Sequence, residues 1–299
     1  MEWLDSIIDS INFIEEHLLE DIDAEKVAKA VNISPFYFQK YFSIMTNMSV
    51  SKYIKGRRLY LAALDLCSKE QLIINIAYKY HYETPESFSK AFTRFHGVNP
   101  THIKEDTKKI HSFLPLKISI NIMGGENMNY KIEKMNSFKI IGFKRKFRGE
   151  TSYQEIPKFW NEVFSKHYKV LCGISEPTTS LEKALAENKV GEFGICINDD
   201  ETCSEFDYII GGYYQGGEIP SCLEVIEIPS KTFAKFLAVG PIPGSLQSIN
   251  TKIFKEWFPN NKEFTFDGNI SVEWYSMKGK TTDDDYESAV WVPVKKIKE

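Results

Sequence analysis

Two segments that lie fifty residues apart in the chain begin in the same way, and they strongly limit its possible folds. Each begins with a hydroxyl residue followed by proline, Ser34-Pro35 in the first and Thr84-Pro85 in the second. Ser and Thr are favoured at the N-cap of a helix, and proline is favoured in its first turn. Phenylalanines then recur at helical spacing and give each helix one apolar face, namely Phe38 and Phe42 in the first and Phe88, Phe92 and Phe95 in the second.

A further helical segment precedes each of these helices, at residues 23–30 and 73–80. Each segment carries a small residue, Ala28 or Ala77, and three residues separate its end from the hydroxyl residue of the next helix. A helix-turn-helix packs such a small residue of its first helix against the second helix, which reads the major groove of DNA. The sequence therefore predicts two helix-turn-helix units, with the helix at residues 50–66 as a rigid spacer between them.

The polar side of each second helix holds the candidate DNA contacts. Helical spacing from the phenylalanines predicts that six residues point outward, namely Phe36, Gln39 and Lys40 in the first helix and Glu86, Ser87 and Lys90 in the second. A polar helix face that is merely solvated would give the same pattern, so this alternative stays open.

The charge of the chain is unevenly distributed. Residues 26–111 carry fourteen Lys or Arg against six acidic residues, whereas residues 1–25 carry nine acidic residues and no Lys or Arg. A basic block of this size is what a surface that faces DNA phosphates requires. Many solvated helices are also rich in lysine, so the charge supports the helix-turn-helix prediction without establishing it.

The second half of the chain changes from helical periodicity to alternating strands. Residues 130–212 and 222–294 both follow the order strand, strand, helix, strand, strand, with helices expected at 153–168 and 244–258. We expect a multi-domain protein, in which an all-α double helix-turn-helix domain precedes an α+β domain of two βαββ repeats. The predicted boundaries are residues 1–110, a linker at 111–127, and residues 128–299.

The strand at residues 270–275 holds the most unusual charged residue of the second half. Alternation places Glu273 on one face with Tyr275, and Val272 and Trp274 on the other. A carboxylate among aromatic rings is costly to bury without a partner, and it can bind a cation whose apolar body stacks on the rings. A glutamate in water at the edge of a sheet is the alternative interpretation.

Motifs of catalysis, cofactor binding and metal binding are absent from the sequence. We find no HExxH, GxxxxGK[ST], GxSxG or GxGxxG, and His167 is the only histidine after residue 111. The sequence therefore predicts neither an enzyme, nor a cofactor, nor a metal site. Apolar runs long enough to span a membrane are also absent, and the first residues lack the features of a secretion signal, so we expect a cytoplasmic protein without a membrane partner.

Residues 1–110 resemble the DNA-binding domain of the AraC family of bacterial regulators. The resemblance rests on a long ordered pattern, Ala28…Ser34-x-x-x-Phe38-x-Lys40-x-Phe42, Tyr53-Ile54-x-x-x-Arg58-Leu59-x-x-Ala62-x-x-x-Leu66, Ile76-Ala77, Tyr82-Glu83-Thr84, Ser87-Phe88-Ser89-Lys90-Ala91-Phe92 and Gly97-Val98-Asn99-Pro100. It implies that both recognition helices enter successive major grooves on one face of DNA. It also implies base contacts by the six outward residues. Double-stranded promoter DNA and RNA polymerase are the expected partners.

Two features depart from the pattern of that family. His81 stands where the second turn usually has glycine, so it must itself adopt the left-handed conformation. The outward positions that usually include arginine hold Lys40 and Lys90. Because lysine contacts DNA as a flexible point charge, we expect a looser sequence preference.

Residues 128–295 resemble the gyrase-inhibitory-protein-like effector-binding domain. The resemblance is carried by the duplicated βαββ order and by the segments Ile156-Pro157-Lys158-Phe159-Trp160 and Ser271-Val272-Glu273-Trp274-Tyr275. It implies a cleft between the repeats that binds a small hydrophobic or cationic effector, with Glu273 as the acidic anchor. We expect four aromatic residues to line the site, namely Tyr275, Trp160, Tyr208 and Trp291.

Two other functions compete with that of an effector-controlled regulator. One is a DNA-binding regulator without small-molecule control, whose C-terminal domain makes protein contacts. The other is an enzyme, for example a hydrolase with Glu273 as its base, although an enzyme has no need of two recognition helices. Thermal shifts with hydrophobic cations separate a regulator with small-molecule control from one without it, because a bound ligand raises stability in proportion to RT ln(1 + [L]/Kd).

Overall fold

The structure is a computed structural model that describes residues 2–68, 71–118, 128–149, 151–198 and 204–297, without the side chains of residues 2–4 and 153. Its contacts divide the chain into two compact units, one comprising Leu4–Ser119 and the other Ile120–Glu299 with Met1–Trp3. No helix among the described residues is both long and apolar enough to cross a membrane.

The first unit is helical, as the sequence predicts. Within the described residues its α-helices are α1 (Glu2–Glu16), α2 (Ala24–Ala30), α3 (Pro35–Thr46), α4 (Val50–Ser68), α5 (Ile73–Lys79) and α6 (Pro85–His96). Two 3₁₀ turns follow, at Pro100–His102 and Thr107–Lys109. The pairs α2–α3 and α5–α6 are the two helix-turn-helix units.

Both predicted turns of the helix-turn-helix units contain a left-handed residue. Asn32 has a φ of +54° and His81 a φ of +62°, so His81 adopts the conformation expected from its position. At the start of α6, the Thr84 side chain accepts a hydrogen bond from the Ser87 amide, and at its end Gly97 has a φ of +73°. These two caps satisfy backbone groups that an α-helix leaves unpaired at its ends.

Two residues of the segment 111–118, which the sequence predicts to be part of a linker, pack on the helical unit. The Phe113 ring lies against Gly56 of α4, where a Cβ atom would approach the ring to 2.8 Å. Arg57 donates to the Phe113 carbonyl oxygen, and the Leu116 amide donates to the Tyr53 hydroxyl over 3.1 Å. Apolar and polar contacts therefore hold Phe113 and Leu116, and the rest of the predicted linker, 119–127, lies outside the described residues.

The second unit consists of one antiparallel sheet and three main helices. Its strands are β1 (Tyr130–Met135), β2 (Phe138–Arg148), β3 (Phe193–Ile197), β4 (Glu205–Tyr213), β5 (Glu224–Ile228), β6 (Lys231–Val239), β7 (Phe264–Phe266), β8 (Ile270–Tyr275) and β9 (Glu287–Lys296). Its helices are α7 (Ser152–Leu171), α8 (Ser180–Glu187) and α9 (Gly244–Lys252), and α9 continues through a π-helical turn, Ile253–Trp257, and a last turn, Phe258–Asn260.

The strand order confirms the predicted duplication and adds an exchange between the repeats. The order is β1-β6-β9-β8-β3-β4-β2-β5. The two halves of the sheet correspond when counted from its ends to its centre: β1 to β5, β6 to β2, β9 to β4, and β8 to β3. The first strand of each repeat pairs with the second strand of the other repeat, β1 with β6 and β5 with β2. Hydrophobic alternation cannot show this exchange, because it records which face a residue occupies but not its partner strand.

The two faces of the sheet have different surroundings. One face carries a core that includes Phe193, Val272 and Trp291. On the other face α7 reaches β4 through Trp160, and the segment after α9 reaches β6 through a ring contact between Trp257 and Phe236. The central strands β3 and β8 pair with each other at the middle of this second face, where the two repeats meet.

Candidate nucleic-acid interface and effector-binding site

Helix α6 presents a polar stripe to solvent. Glu86, Ser87 and Lys90 are all exposed, while Phe88 and Phe92 on the opposite side are completely buried. The three polar residues therefore point outward, as the sequence predicts. Their contact with DNA bases stays a prediction.

The same stripe continues into the last turns of α6 with Thr93 and Arg94, which are also exposed. These residues lie three and four positions after Lys90, so helical periodicity places them beside it. Arg94 is not among the six predicted contacts, although its spacing from Lys90 is a signal in the sequence. Arginine is the side chain best suited to bidentate contact with guanine or phosphate, so Arg94 is a further candidate for DNA contact.

Helix α3 differs from α6, and the predicted orientation of two of its residues is wrong. Phe36 and Gln39 are buried, with exposed fractions of 3% and 7%, and Lys40 is partly buried. The physical reason lies in the distribution of the aromatic residues. The consecutive positions Phe36, Tyr37 and Phe38 cover about 200° of the helix circumference at 100° per residue, so α3 has no single apolar stripe opposite a polar one.

Five residues are predicted for the effector site around Glu273 of β8, and the structure brings four of them together. Tyr275 donates its hydroxyl to Glu273 Oε2 over 2.8 Å, and the Tyr208 hydroxyl is 3.3 Å from the same oxygen. Trp160 of α7 donates its indole Nε1 to the Tyr208 oxygen over 2.8 Å, and its ring meets the Tyr275 ring edge to face at 5.0 Å. We call these four residues, Glu273, Tyr275, Tyr208 and Trp160, the Glu273 cluster.

The electrostatics of the Glu273 cluster favour tyrosines that remain hydrogen-bond donors. Burial raises the pKa of both Tyr208 and Tyr275 well above the usual value of 10, and the nearby Glu273 charge raises each pKa further. Both hydroxyls are therefore protonated at neutral pH and can donate to the carboxylate. Glu273 itself is partly buried, and no Lys, Arg or His among the described residues lies within ion-pair distance of it.

Glycine at position 194 is what leaves room for the cluster. Gly194 of β3 is the cross-strand partner of Glu273, and a Cβ atom there would lie 2.2 Å from the Tyr208 hydroxyl and 3.2 Å from the Trp160 ring. Gly194 is not among the residues predicted for the site. A glycine inside an apolar strand is a recognisable sign that another group approaches closely.

Substituting this glycine is expected to break the hydrogen bonds of the cluster. In a Gly194→Ala variant the added methyl group must displace the Tyr208 hydroxyl or the Trp160 ring. The indole of Trp160 then becomes more exposed, and we expect a red shift of tryptophan fluorescence and a loss of roughly 1–3 kcal/mol of stability, as is typical of overpacking. A Gly216→Ala variant is the control for side-chain crowding, because nothing lies within 4 Å of its Cβ position, although its φ of +98° adds backbone strain. Unchanged fluorescence in Gly194→Ala would contradict the crowded geometry.

Trp291 does not belong to the cluster, so its predicted place in the effector site is wrong. Its cross-strand partner is Val272, and partners in register share one face of a sheet. Val272 and Glu273 are adjacent in β8 and therefore point to opposite faces. Trp291 packs instead against Phe193, with ring centroids 5.5 Å apart, and Lys235 Nζ lies 3.8 Å from its ring centroid.

A cavity of about 280 Å³ lies elsewhere in the second unit, between β2 and α7. Its lining includes Arg145, Glu162 and Lys166, and it contains none of the Glu273 cluster. Glu162 accepts from both cations, at 2.9 Å from Arg145 and 3.1 Å from Lys166. Because these charges already pair with one another, the Glu273 cluster remains the stronger candidate for an effector site.

The first unit contains two helix-turn-helix pairs in tandem. The second unit contains a duplicated sheet with a carboxylate at its centre. Together these features are those of a DNA-binding regulator with an attached effector-binding domain. Comparison with protein families agrees with this class. Residues 27–106 match the helix-turn-helix domain of AraC type, and residues 131–294 match the integron-associated effector binding protein family. The chain belongs to the AraC-type transcription regulators that carry an effector-binding domain of this integron-associated family.

Individual relatives and a solved structure are each similar to part of the chain. The regulatory protein SoxS of Escherichia coli (strain K12) is 36% identical over 88 residues, which are 29% of this chain and 82% of SoxS. The HTH-type transcriptional regulator YbfP of Bacillus subtilis (strain 168) is 31% identical over 160 residues, 50% of this chain, and the match spans about half of YbfP, 53%. The structure of SAV2435 bound to tetraphenylphosphonium is similar at 21% identity and a TM-score of 0.45, covering 56% of this chain and 94% of that one.

Proposed function

We propose that this regulator reads DNA with α6 in one major groove and α3 in the next, and that a cation with an apolar body binds at the Glu273 cluster to control it. The observation that carries the effector proposal is the partly buried Glu273 carboxylate, which accepts from tyrosine hydroxyls without a described cationic partner. RNA polymerase as a further partner is part of the same proposal and rests on family membership alone.

The chemistry of the cluster suits a cation better than an anion or a neutral ligand. The two tyrosine hydroxyls do not neutralise the carboxylate, so its negative charge remains available. A ligand cation can supply the missing charge, while the rings of Trp160 and Tyr275 offer apolar surface and cation–π attraction. Partial burial strengthens the attraction, because two charges interact more strongly at an effective dielectric constant below that of water.

Replacing Glu273 by glutamine tests this proposal directly. In Glu273→Gln the side chain keeps its size and still accepts from a tyrosine hydroxyl, but it loses its charge. We expect binding of tetraphenylphosphonium, measured by titration calorimetry, to weaken at least about tenfold, which corresponds to 1.4 kcal/mol. The thermal unfolding midpoint of the ligand-free protein should stay within a few degrees of the wild type.

A second carboxylate on an exposed strand position provides the matched control. Glu227 of β5 is exposed, so Glu227→Gln removes the same charge from the same unit without touching the cluster. Its affinity for tetraphenylphosphonium should equal that of the wild type. Equal weakening in both variants would reduce the effect to net charge, and equal affinity in Glu273→Gln and wild type would remove Glu273 as the anchor.

Replacing Lys90 by alanine tests the proposed contact of α6 with DNA. Because Lys90 is exposed on α6, opposite the buried Phe88 and Phe92, Lys90→Ala should leave the fold intact. We expect roughly 1–3 kcal/mol weaker binding to a duplex enriched from random sequences by the wild-type protein. Lys183→Ala, at an exposed position of α8, is the charge-matched control and should bind as the wild type does. A sharply lower melting temperature of Lys90→Ala would mean that the helix face is assigned wrongly.

A further inference from the structure

The short segment between α1 and α2 is held by side chains from two other parts of the helical unit. Arg58 of α4 donates Nε to the Leu18 carbonyl oxygen over 2.8 Å and Nη2 to the Glu20 carbonyl oxygen over 2.6 Å. His81, in the turn between α5 and α6, has its Nε2 2.8 Å from the Leu19 carbonyl oxygen. Because a carbonyl oxygen can only accept, the imidazole is the donor. Three consecutive carbonyl groups are therefore bound from outside the segment.

The same segment is also hydrogen-bonded to the first helix-turn-helix unit. Lys26 of α2 donates Nζ to the Asp21 carbonyl oxygen over 2.7 Å and to Asp21 Oδ2 over 2.6 Å. Two residues later, Asp23 caps α2 by accepting from the Lys26 amide over 2.8 Å. A movement of residues 18–21 would thus move the start of α2. We call residues 18–23 the α1–α2 junction.

His81 is the side chain that brings the second helix-turn-helix unit to this junction. It occupies the left-handed turn position with a φ of +62°, and Asn32 occupies the equivalent position of the first unit with a φ of +54°. Asparagine tolerates this conformation well, and glycine tolerates it best. Neither glycine nor asparagine at position 81 could reach the Leu19 carbonyl oxygen as an imidazole does. The strained residue therefore supplies a contact that the relaxed residues would lose.

We propose that His81 is a positioning residue that fixes the relative placement of the two helix-turn-helix units, and with it the spacing between the two DNA half-sites that the protein accepts. This proposal rests on the proposed reading of two successive grooves. The contact runs from the turn immediately before α6 to the segment immediately before α2. Together with the contacts of Arg58 on the spacer helix α4, this contact connects both helix-turn-helix units to the α1–α2 junction.

The consequence for DNA follows from helical geometry. Successive major grooves on one face of B-DNA are about 34 Å apart, so two half-sites must be spaced by about one helical turn. Inserting two base pairs between them rotates one half-site by about 70° relative to the other, since one turn takes about 10.5 base pairs. A protein with rigidly placed units rejects the altered spacing, whereas a protein with loosely coupled units adapts to it.

The test measures how strongly full-length variants discriminate between the two spacings. One duplex carries the two half-sites that the wild-type protein enriches from random sequences, and the other carries the same half-sites with two base pairs inserted. We expect wild type to prefer the first duplex and His81→Gly and His81→Asn to lose roughly tenfold of this preference. His81→Gln, whose amide can donate to the same carbonyl oxygen, should recover part of it. His102→Asn alters an exposed histidine outside the junction and serves as the control.

The possible outcomes separate this proposal from the one on which it rests. Loss of spacing preference in His81→Gly and His81→Asn, at unchanged affinity for a single half-site, supports the positioning role. If these variants only melt at lower temperature and keep the full preference, His81 is a structural turn residue and the proposal is overturned. If wild type itself binds both duplexes equally, the reading of two grooves fails, and the positioning role fails with it.

Discussion

DNA binding by the full chain is expected to weaken about a thousandfold between roughly 50 and 200 mM salt. The reason is the release of counterions from DNA when basic side chains neutralise phosphates, and this fall corresponds to about six neutralised phosphates. Residues 26–111 carry fourteen Lys or Arg, which is enough for contacts of this number. The measurement is a fluorescence anisotropy titration of a labelled duplex at several salt concentrations.

Two comparisons make the salt experiment specific. Lys90→Ala should reduce the slope of log K against log salt by about one unit if Lys90 contacts a phosphate, and leave the slope unchanged if it contacts a base. Lys183→Ala, in the other unit, should leave both slope and affinity unchanged. A slope near zero for the wild type would contradict a phosphate-facing surface in the helical unit.

Removal of the Arg57 side chain is expected to cost about 3 kcal/mol of stability. Arg57 is nearly buried, its Nη2 lies 2.7 Å from Glu15 Oε2, and its Nε donates to the same carboxylate. In Arg57→Ala this carboxylate loses its cation and the Phe113 carbonyl oxygen loses a donor. The estimate lies at the lower end of the range for buried pairs, because the Glu15 side chain retains an exposure of 21%.

Chemical denaturation of the full chain, followed by circular dichroism at a wavelength that reports helix, measures this loss. Double replacement Glu15→Gln/Arg57→Met is the matched variant, because it removes both charges together and should cost less than Arg57→Ala alone. If the double variant is as unstable as Arg57→Ala, the lost donor to the Phe113 carbonyl oxygen rather than the unpaired carboxylate explains the effect. Unchanged stability of Arg57→Ala would contradict a stabilising role of the Arg57–Glu15 pair and of the bond to the Phe113 carbonyl oxygen.

Local patterns predicted most of the helical unit. The cap at Thr84 and the spacing of Phe88 and Phe92 depend only on neighbours in the sequence, and they set the outward face of α6 correctly. The same reasoning failed for Phe36 and Gln39. Their burial depends on aromatic residues that extend around the first turns of α3, and a template that assumes one apolar stripe does not represent this distribution.

Contacts between distant strands set the limit of prediction in the second unit. Glu273 and Tyr275 share a strand, so alternation alone placed them on one face. Trp291 lies on a different strand, and its face relative to Glu273 is decided by the register between β8 and β9. A shift of one residue would move Trp291 to the side of Glu273. Gly194 likewise acquires its importance only through the Tyr208 hydroxyl, which approaches it from the neighbouring strand β4.

The most direct test of an effector-controlled regulator measures both ligands in one experiment. The affinity of wild-type protein for its enriched duplex is determined with and without saturating tetraphenylphosphonium, and the same is done for Glu273→Gln. Because coupling between two ligands is reciprocal, a cation that alters DNA affinity must itself bind with altered affinity to the DNA complex. We predict a change in DNA affinity of at least about fivefold in the wild type, as is typical of such coupling, and no change in Glu273→Gln. A wild-type protein that binds the cation while its DNA affinity stays constant, or an equal change in Glu273→Gln, would contradict the account.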